Sequence, residues 1–335
     1  MNYKFNFPAI FLIGPTASGK TEQSFSITKK FPVEIISVDS AMVFKDMDIG
    51  TSKPPKDMRE SFPHHLIDII SPEQDFDLGL FLEETDRAVK AIKEKNKFPL
   101  FVGGSMLFHK TLLEGIHNFP SDLNIRKDIE ALKKSKGLDV LVQELKSSDP
   151  ETHQSIDIKN ARRVERALEI IRISGKKLSE LKTEPKVMFF DQNNCLLLGI
   201  LDQKSRLEAL AKLRLSEMIE KGLINELENL KKEYRLSPEL QSMNSINYKQ
   251  FLPHINGVIS LDQAFNDAFD ATKQLIKTQL NWMKKFELNH CANTADINDS
   301  EIFSDTINTY LGSFDKWIGI QMKMILGAEK IALRI

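Results

Sequence analysis

Cysteine is scarce in this chain of 335 residues. Its two cysteines, Cys195 and Cys291, lie far apart and neither sits in a C-x-x-C pair. A disulfide framework and a Cys-rich zinc site are therefore not expected, which suits a reducing compartment. An excess of charge is lacking too: 46 Lys and Arg face 47 Asp and Glu, for a net charge of −1. With no global positive field, any contact with nucleic acid has to rest on local basic patches. No apolar run approaches the ~20 residues a membrane span needs. The apolar stretch near the N-terminus leads into a Gly-rich loop without a cleavage-type ending, so no signal peptide is expected and the cytoplasm is the expected location. There is no internal repeat and no low-complexity tract. After Glu287 there is no Lys or Arg until Lys316, while Asp and Glu recur.

What the chain does have is a phosphate loop. Residues 14–21, Gly14, Pro15, Thr16, Ala17, Ser18, Gly19, Lys20 and Thr21, fit G-x-x-x-x-G-K-[ST]. In such a loop consecutive backbone N–H groups wrap a phosphate, the lysine adds charge and the threonine offers a hydroxyl to Mg²⁺. The context fits. An apolar run of strand length, 8–13, precedes the loop, and 21–30 reads as a helix whose N-terminus adds partial positive charge.

Two further apolar runs, 33–39 and 98–104, read as strands separated by helices, the clearest at 79–97. Strands alternating with helices imply right-handed crossovers and a parallel sheet. Functional loops leave such a sheet at the carboxyl ends of its strands. Residues 14–21, 39–42 and 103–106 should then meet at one edge. From 119 to 190 the pattern turns helical and charged, with helices expected at 123–136, 138–150 and 160–175. A return strand at 194–201 precedes one long helix at 205–234, and another helix spans 261–286. The expected fold class is α/β, a P-loop NTPase-like parallel sheet flanked by helices with a mostly helical insert. Its parts are 1–118 (core), 119–190 (insert), 191–287 (core) and an unassigned acidic tail, 288–335.

Several side chains could carry chemistry. Asp39 ends the second strand beside the loop; it suits a Mg²⁺ ligand, a turn cap or a general base taking a proton from an attacking nucleophile. Ser105 follows two glycines at the end of the third strand, as an N-cap or as a donor to a phosphate oxygen. His64 and His65 are adjacent, without a third ligand at metal spacing, and read as structural. Asp48, Thr51 and Lys53 form a polar loop rich in turn formers. Lys159, Arg162, Arg163 and Arg166 make the densest basic cluster: a solvated helix face, or a surface for RNA phosphates. Residues 273–285 add a second basic stretch around Trp282.

Taken together, "IFLIGPTASGKT", "EIISVDSAMVFKDMDIGTSKP", "PHHLIDI", "PLFVGGSMLFHKTLLEGI", "RRVERALEIIRISGKKLSEL" and "NYKQF" resemble the tRNA dimethylallyltransferase (isopentenyltransferase) family from about Ala9 to Phe286. The second stretch is the most specific. The resemblance is to the bacterial type, since nothing matches the zinc-finger tail of eukaryotic members. It implies that the loop holds the diphosphate of dimethylallyl diphosphate, and that N6 of adenosine 37, beside the tRNA anticodon, attacks the allylic carbon. It further implies Asp39 as general base, Ser105 in place of the family's usual Thr, and Arg214 reaching the diphosphate. Arg126 matches another family arginine. Asp39, Ser40, Ala41 and Met42, with Ser105, Arg126, Arg162, Arg163 and Arg166, match positions that touch the tRNA. Mg²⁺ on Thr21 is the expected cofactor, and a monomer the expected state.

The chain also departs from the family pattern. Asn247 stands where many members have Gly, Asn244 where they have Arg, and Lys273 and Thr278 replace arginines on the 272–279 helix. Fewer guanidiniums on the RNA-facing side imply weaker or altered RNA binding rather than lost chemistry.

Overall fold

The computed structural model describes residues 3–5, 7–294 and 301–313. Part of the acidic tail expected at 288–335 therefore lies outside the described residues. The chain divides into two compact units. An α/β unit takes the chain up to Lys110 and again from Phe190, and a helical unit takes Thr111–Phe189 with the N-terminal strand.

The α/β unit is built on a six-stranded sheet. Its strands are β2 (Ala9–Ile13), β3 (Val33–Val38), β4 (His64–His65), β5 (Phe98–Gly103), β7 (Cys195–Leu201) and β8 (His290–Asn293). They lie in the order β4-β3-β5-β2-β7-β8, and every pairing is parallel. All five residues of β2 and all six of β3 are buried. Near-continuous apolar runs are what strands covered on both faces require. Each buried Ile, Leu or Phe contributes about 1.5–3 kcal/mol relative to exposure, so this sheet is the rigid frame behind the loops.

Helices α1 (Lys20–Lys30), α2 (Lys56–Ser61), α3 (Leu78–Glu94) and α4 (Met106–Glu114) follow the first strands. Asp77 caps α3 by accepting from the Leu80 amide at 2.9 Å. The helical unit holds α5 (Leu123–Lys136), α6 (Leu138–Ser148), α7 (Pro150–Ser155), α8 (Ala161–Ser174) and α9 (Leu178–Leu181). These pack Ile129, Leu141, Leu145, Val164, Leu168 and Leu178 into one core. Asp122, Asp149 and Asn160 cap α5, α7 and α8 through their side chains. Strand β1 (Tyr3–Phe5) pairs with β6 (Met188–Phe190) in a separate two-stranded sheet.

The single helix expected over 205–234 is two helices. It breaks at Gly222, which takes a φ of +99°, giving α10 (Lys204–Glu220) and α11 (Leu223–Glu233). Glycine alone among the residues there adopts that backbone without strain. Helices α12 (Tyr248–Ile255) and α13 (Leu261–Met283) follow. Beyond them, α14 (Ser304–Gly312) buries Ile307 and Leu311 in the same core as Ile10, Leu12 and Leu198. The Tyr310 hydroxyl accepts from the Ala9 amide at 3.0 Å and donates to the Asn194 carbonyl at 2.7 Å. This much of the tail is a structural part of the α/β unit.

Candidate active site

The carboxyl ends of β2, β3 and β5 open onto one cavity of about 860 Å³, lined wholly by residues of the α/β unit. Thr16 through Thr21, Asp39, Gly103, Gly104, Arg214 and Gln279 all line it. The three loops that the sequence spreads over ninety positions do converge.

The phosphate loop is locally tight. Ala17 and Gly19 take φ values of +62° and +81°. A Cβ on Gly14 would lie 2.8 Å from the Ile200 carbonyl oxygen, so that position has room only for glycine. Lys20 Nζ donates back to the Pro15 carbonyl at 2.5 Å and reaches Ser18 Oγ at 3.4 Å. Burial, and then the neighbouring Arg214 guanidinium, lower the Lys20 pKa to about 7, while Asp39 and Glu22 pull the other way. Lys20 thus feels the charges of both Arg214 and Asp39. The Arg214 side chain, carried by α10, makes no ion pair among the described residues. A guanidinium without an ion pair and a buried lysine that an arriving anion would charge make a site that favours a polyanion.

Asp39 realises the turn-cap role with one oxygen. Its Oδ1 accepts from the Ala41 amide at 2.8 Å and the Met42 amide at 3.2 Å, and Oδ2 has no hydrogen bond among the described residues. The Thr21 hydroxyl likewise has none. A hydroxyl and a carboxylate oxygen are the hard donors Mg²⁺ takes alongside phosphate oxygens and water. Among the described residues no group of three or more His, Cys, Asp or Glu could hold a metal alone, so an ion there would depend on the ligand's oxygens.

Ser105 sits at the end of β5, its amide donating to the Val38 carbonyl at 3.1 Å. Its hydroxyl has no protein partner among the described residues, so the N-cap role is not taken up. Neither Ser105 nor Gly14 nor Pro15 lines the cavity, although Gly104 and Thr16 beside them do. His65 pairs with the buried Glu34 at 3.0 Å, and His64 Nδ1 bonds the Phe62 carbonyl at 2.5 Å. The two histidines have separate structural partners.

In the helical unit the basic residues divide. Arg126 and Arg166 each bond the buried Glu169 at 2.7 Å, and Arg166 also donates to the Pro120 carbonyl at 3.0 Å. Burial pushes Glu169 up, but hydrogen bonds from Arg166, Arg126 and the Asp122 amide outweigh it and hold the carboxyl below its usual range. Arg162 and Arg163 are exposed and make no ion pair among the described residues.

A sequence model described as IPP transferase matches residues 42–286. The chain belongs to that family. A relative from Francisella tularensis subsp. novicida, named tRNA dimethylallyltransferase, is 40% identical over 277 residues, 82% of this chain and 90% of that protein. A tRNA isopentenylpyrophosphate transferase of Bacillus halodurans has a similar crystal structure, with a TM-score of 0.66 and 28% identity over 93% of this chain and 98% of its own. A eukaryotic dimethylallyltransferase solved acting on tRNA gives a TM-score of 0.77 and 26% identity, covering 90% of this chain and 78% of its own. The family match opens at Met42, so the phosphate loop and Asp39 enter on their geometry.

In this IPP transferase family member Lys53, on the cavity wall, and the side chains that grip the neighbouring 48–50 turn carry no local signature of these roles in the sequence. Lys53, taken as part of a polar loop, has a side chain with no exposed surface. It donates to the Phe44 carbonyl at 2.5 Å and pairs with Asp68 at 2.5 Å and Asp48 at 3.0 Å. Glu226 on α11 accepts from the amides of Asp48, Ile49 and Gly50 at 2.9, 2.6 and 3.1 Å, and from the Tyr248 hydroxyl at 2.6 Å. Asn247, at a φ of +76°, donates to the Gly50 carbonyl at 2.7 Å. That bond helps hold a positive-φ conformation that glycine adopts more readily. The turn at 48–50 is thus gripped from residues near 226 and 248. The only advance signal was the density of turn formers.

The other departures are locally absorbed. Asn244 donates to the Leu240 carbonyl at 3.0 Å, Thr278 to its own helix at Gln274, and Lys273 pairs with Asp270 at 2.5 Å. Among the described residues, no helix is long and apolar enough to cross a membrane.

Proposed function

We propose that this chain transfers the dimethylallyl group of dimethylallyl diphosphate to N6 of adenosine 37, beside the tRNA anticodon, yielding N6-isopentenyladenosine and diphosphate. Membership of the IPP transferase family supports the reaction class. The observation that carries it to these residues is that Lys20, Thr21, Asp39 and Arg214 line one cavity.

Loop amides, Lys20 and Arg214 would bind the diphosphate and take up the charge that grows on it as the allylic C–O bond breaks. The exocyclic amine forms the new C–N bond and loses a proton, which Asp39 Oδ2 accepts. Oδ1, anchored by the Ala41 and Met42 amides, fixes the carboxylate while this happens. Ser105 would add a hydroxyl to the phosphate oxygens. Mg²⁺, held by the Thr21 hydroxyl and the diphosphate, would supply further neutralisation of the leaving group. The adenine has to leave its stack to reach a buried carbon. Ser40, Ala41 and Met42 would then meet the anticodon loop, with Arg126, Arg162, Arg163 and Arg166 as the RNA-binding cluster. The protein would act as a cytoplasmic monomer.

Mass spectrometry of tRNA nucleosides from cells with and without this chain tests the reading. N6-isopentenyladenosine should disappear with the chain, and inorganic pyrophosphate should inhibit the purified protein competitively against the prenyl diphosphate. An unchanged nucleoside profile, or ATP-dependent phosphorylation of an acceptor, would overturn it.

A further inference from the structure

The inner face of α13 is apolar at Ala264, Ala268, Ile276 and Met283, with one exception, Gln279. It is only 6% exposed, and both ends of its amide are engaged. Oε1 accepts from the Thr16 amide at 2.9 Å, and Nε2 donates to the Gly104 carbonyl at 3.0 Å. One side chain, carried by the penultimate helix of the described chain, thereby joins the phosphate loop after β2 to the glycine turn after β5.

The connection runs on to the proposed catalytic groups. Gly104 precedes Ser105, whose amide bonds the Val38 carbonyl, and Val38 precedes Asp39. A Cβ on Gly103 would overlap the Val38 carbonyl, and one on Gly104 would collide with the Gln279 amide nitrogen. The two loops therefore have no slack on the sheet side, and on the open side Gln279 sets their separation. An apolar residue would satisfy the α13 stripe equally well for packing. A buried amide with both ends matched instead gives a fixed distance and direction, because leaving either backbone group unpaired is costly.

We propose that Gln279 is a positioning residue for the transfer reaction: it holds the diphosphate cradle at a set distance from the Ser105–Asp39 edge. This rests on the transfer reading above. Gln279 acts through the Thr16 amide and the Gly104 carbonyl.

Two variants test it, each read by single-turnover transfer and, separately, by equilibrium binding of inorganic pyrophosphate. Gln279→Met keeps side-chain length and removes both hydrogen bonds. It should weaken pyrophosphate binding about tenfold, one lost hydrogen bond's worth, and slow transfer about a hundredfold, the cost of misplacing a reacting group by an ångström, while the KM for tRNA stays within twofold. Gln279→Glu still accepts from Thr16 but sets an anion against the Gly104 carbonyl unless the new carboxyl is protonated, and burial raises such a carboxyl's pKa. Lys20, Asp39 and Arg214 lie on the same cavity and a new carboxylate would act on Lys20 and on the ligand as well, so the pH series is read on single-turnover transfer at saturating prenyl diphosphate. Relative to native, Gln279→Glu should regain transfer rate as pH falls from 8 to 6. A pH-independent ratio of transfer rates would overturn the proposal, as would native-like kinetics in Gln279→Met. If the native protein binds pyrophosphate but transfers nothing, the transfer reading falls, and the pyrophosphate arm still decides whether Gln279 sets the cradle.

Discussion

Adding dimethylallyl diphosphate to this protein at pH 8, with no tRNA present, should draw a proton out of the buffer. Burial and Arg214 hold Lys20 at a pKa of about 7 in the free protein, so at pH 8 about one molecule in ten carries the ammonium. A bound diphosphate brings several negative charges against Lys20 and returns it toward the ordinary lysine range of about 10.4. The expected uptake is then about 0.9 proton at pH 8, about 0.5 at pH 7 and about 0.1 at pH 6. The ligand does not confuse the reading at the upper end, because the terminal phosphate of a diphosphate ester loses its last proton near about pH 6. Titration calorimetry in two buffers of different ionisation enthalpy measures the uptake directly, and Lys20→Met supplies the control. Uptake below about 0.3 proton at pH 8, or equal uptake in Lys20→Met, would refute the reasoning. The same shift has a consequence for folding. Between pH 7 and pH 10.5 the unfolded chain binds a proton at Lys20 that the free folded protein does not, so stability should rise with pH across that window. In Lys20→Met that part of the slope should vanish.

Asp39→Asn should cut single-turnover transfer about 10²–10⁴-fold, the range for a lost general base, with prenyl diphosphate binding unchanged because the amide oxygen still accepts from Ala41 and Met42. Restoration of the rate by excess Mg²⁺ would make Asp39 a metal ligand instead. Arg163→Ala should weaken tRNA binding and lower its salt slope by about one, whereas Arg166→Ala should also lower the denaturation midpoint, because Glu169 loses a partner. Unmoved tRNA affinity in Arg163→Ala would leave the cluster a solvated helix face. Glu226→Ala strips the acceptor from three amides and a phenol and should cost about 2–4 kcal/mol in denaturant titration; a loss under about 1 kcal/mol would mean the 48–50 turn holds itself.

The sheet and the phosphate cradle were legible in the sequence because their signals are local. A strand buried on both faces must be apolar throughout, and a loop that wraps a phosphate needs its glycines at fixed offsets. Gly222 was legible in principle, but the amphipathic period continues on both sides of it and masked the break. Gln279 and Glu226 were not legible, since each acts on backbone groups more than 170 residues away and no local pattern encodes such a partner. Lys53 failed for a related reason. A lysine is ordinarily exposed, and only the assembled loop provides the Phe44 carbonyl, Asp48 and Asp68 that allow its burial. The arginines of α8 form one cluster in sequence, yet Glu169 draws Arg166 inward and leaves Arg162 and Arg163 outside.

The strand order also governs how this chain can be made. β2, which carries the phosphate loop, lies between β5 and β7, pairing Ile10 with Leu100 on one side and Ala9 with Cys195 on the other. During synthesis the segment bearing Lys20 therefore emerges long before its second neighbour, and the whole helical unit is translated in between. The helices of that unit pack through contacts among residues near in sequence, which form fast, whereas the parallel pairings of β2 require long loops to close and form slowly. Until β7 arrives, one edge of this wholly buried, wholly apolar strand stays unpaired, a state that invites association with other chains. The insert is then a timer as well as a domain: its length sets how long the nascent phosphate site waits for its last strand.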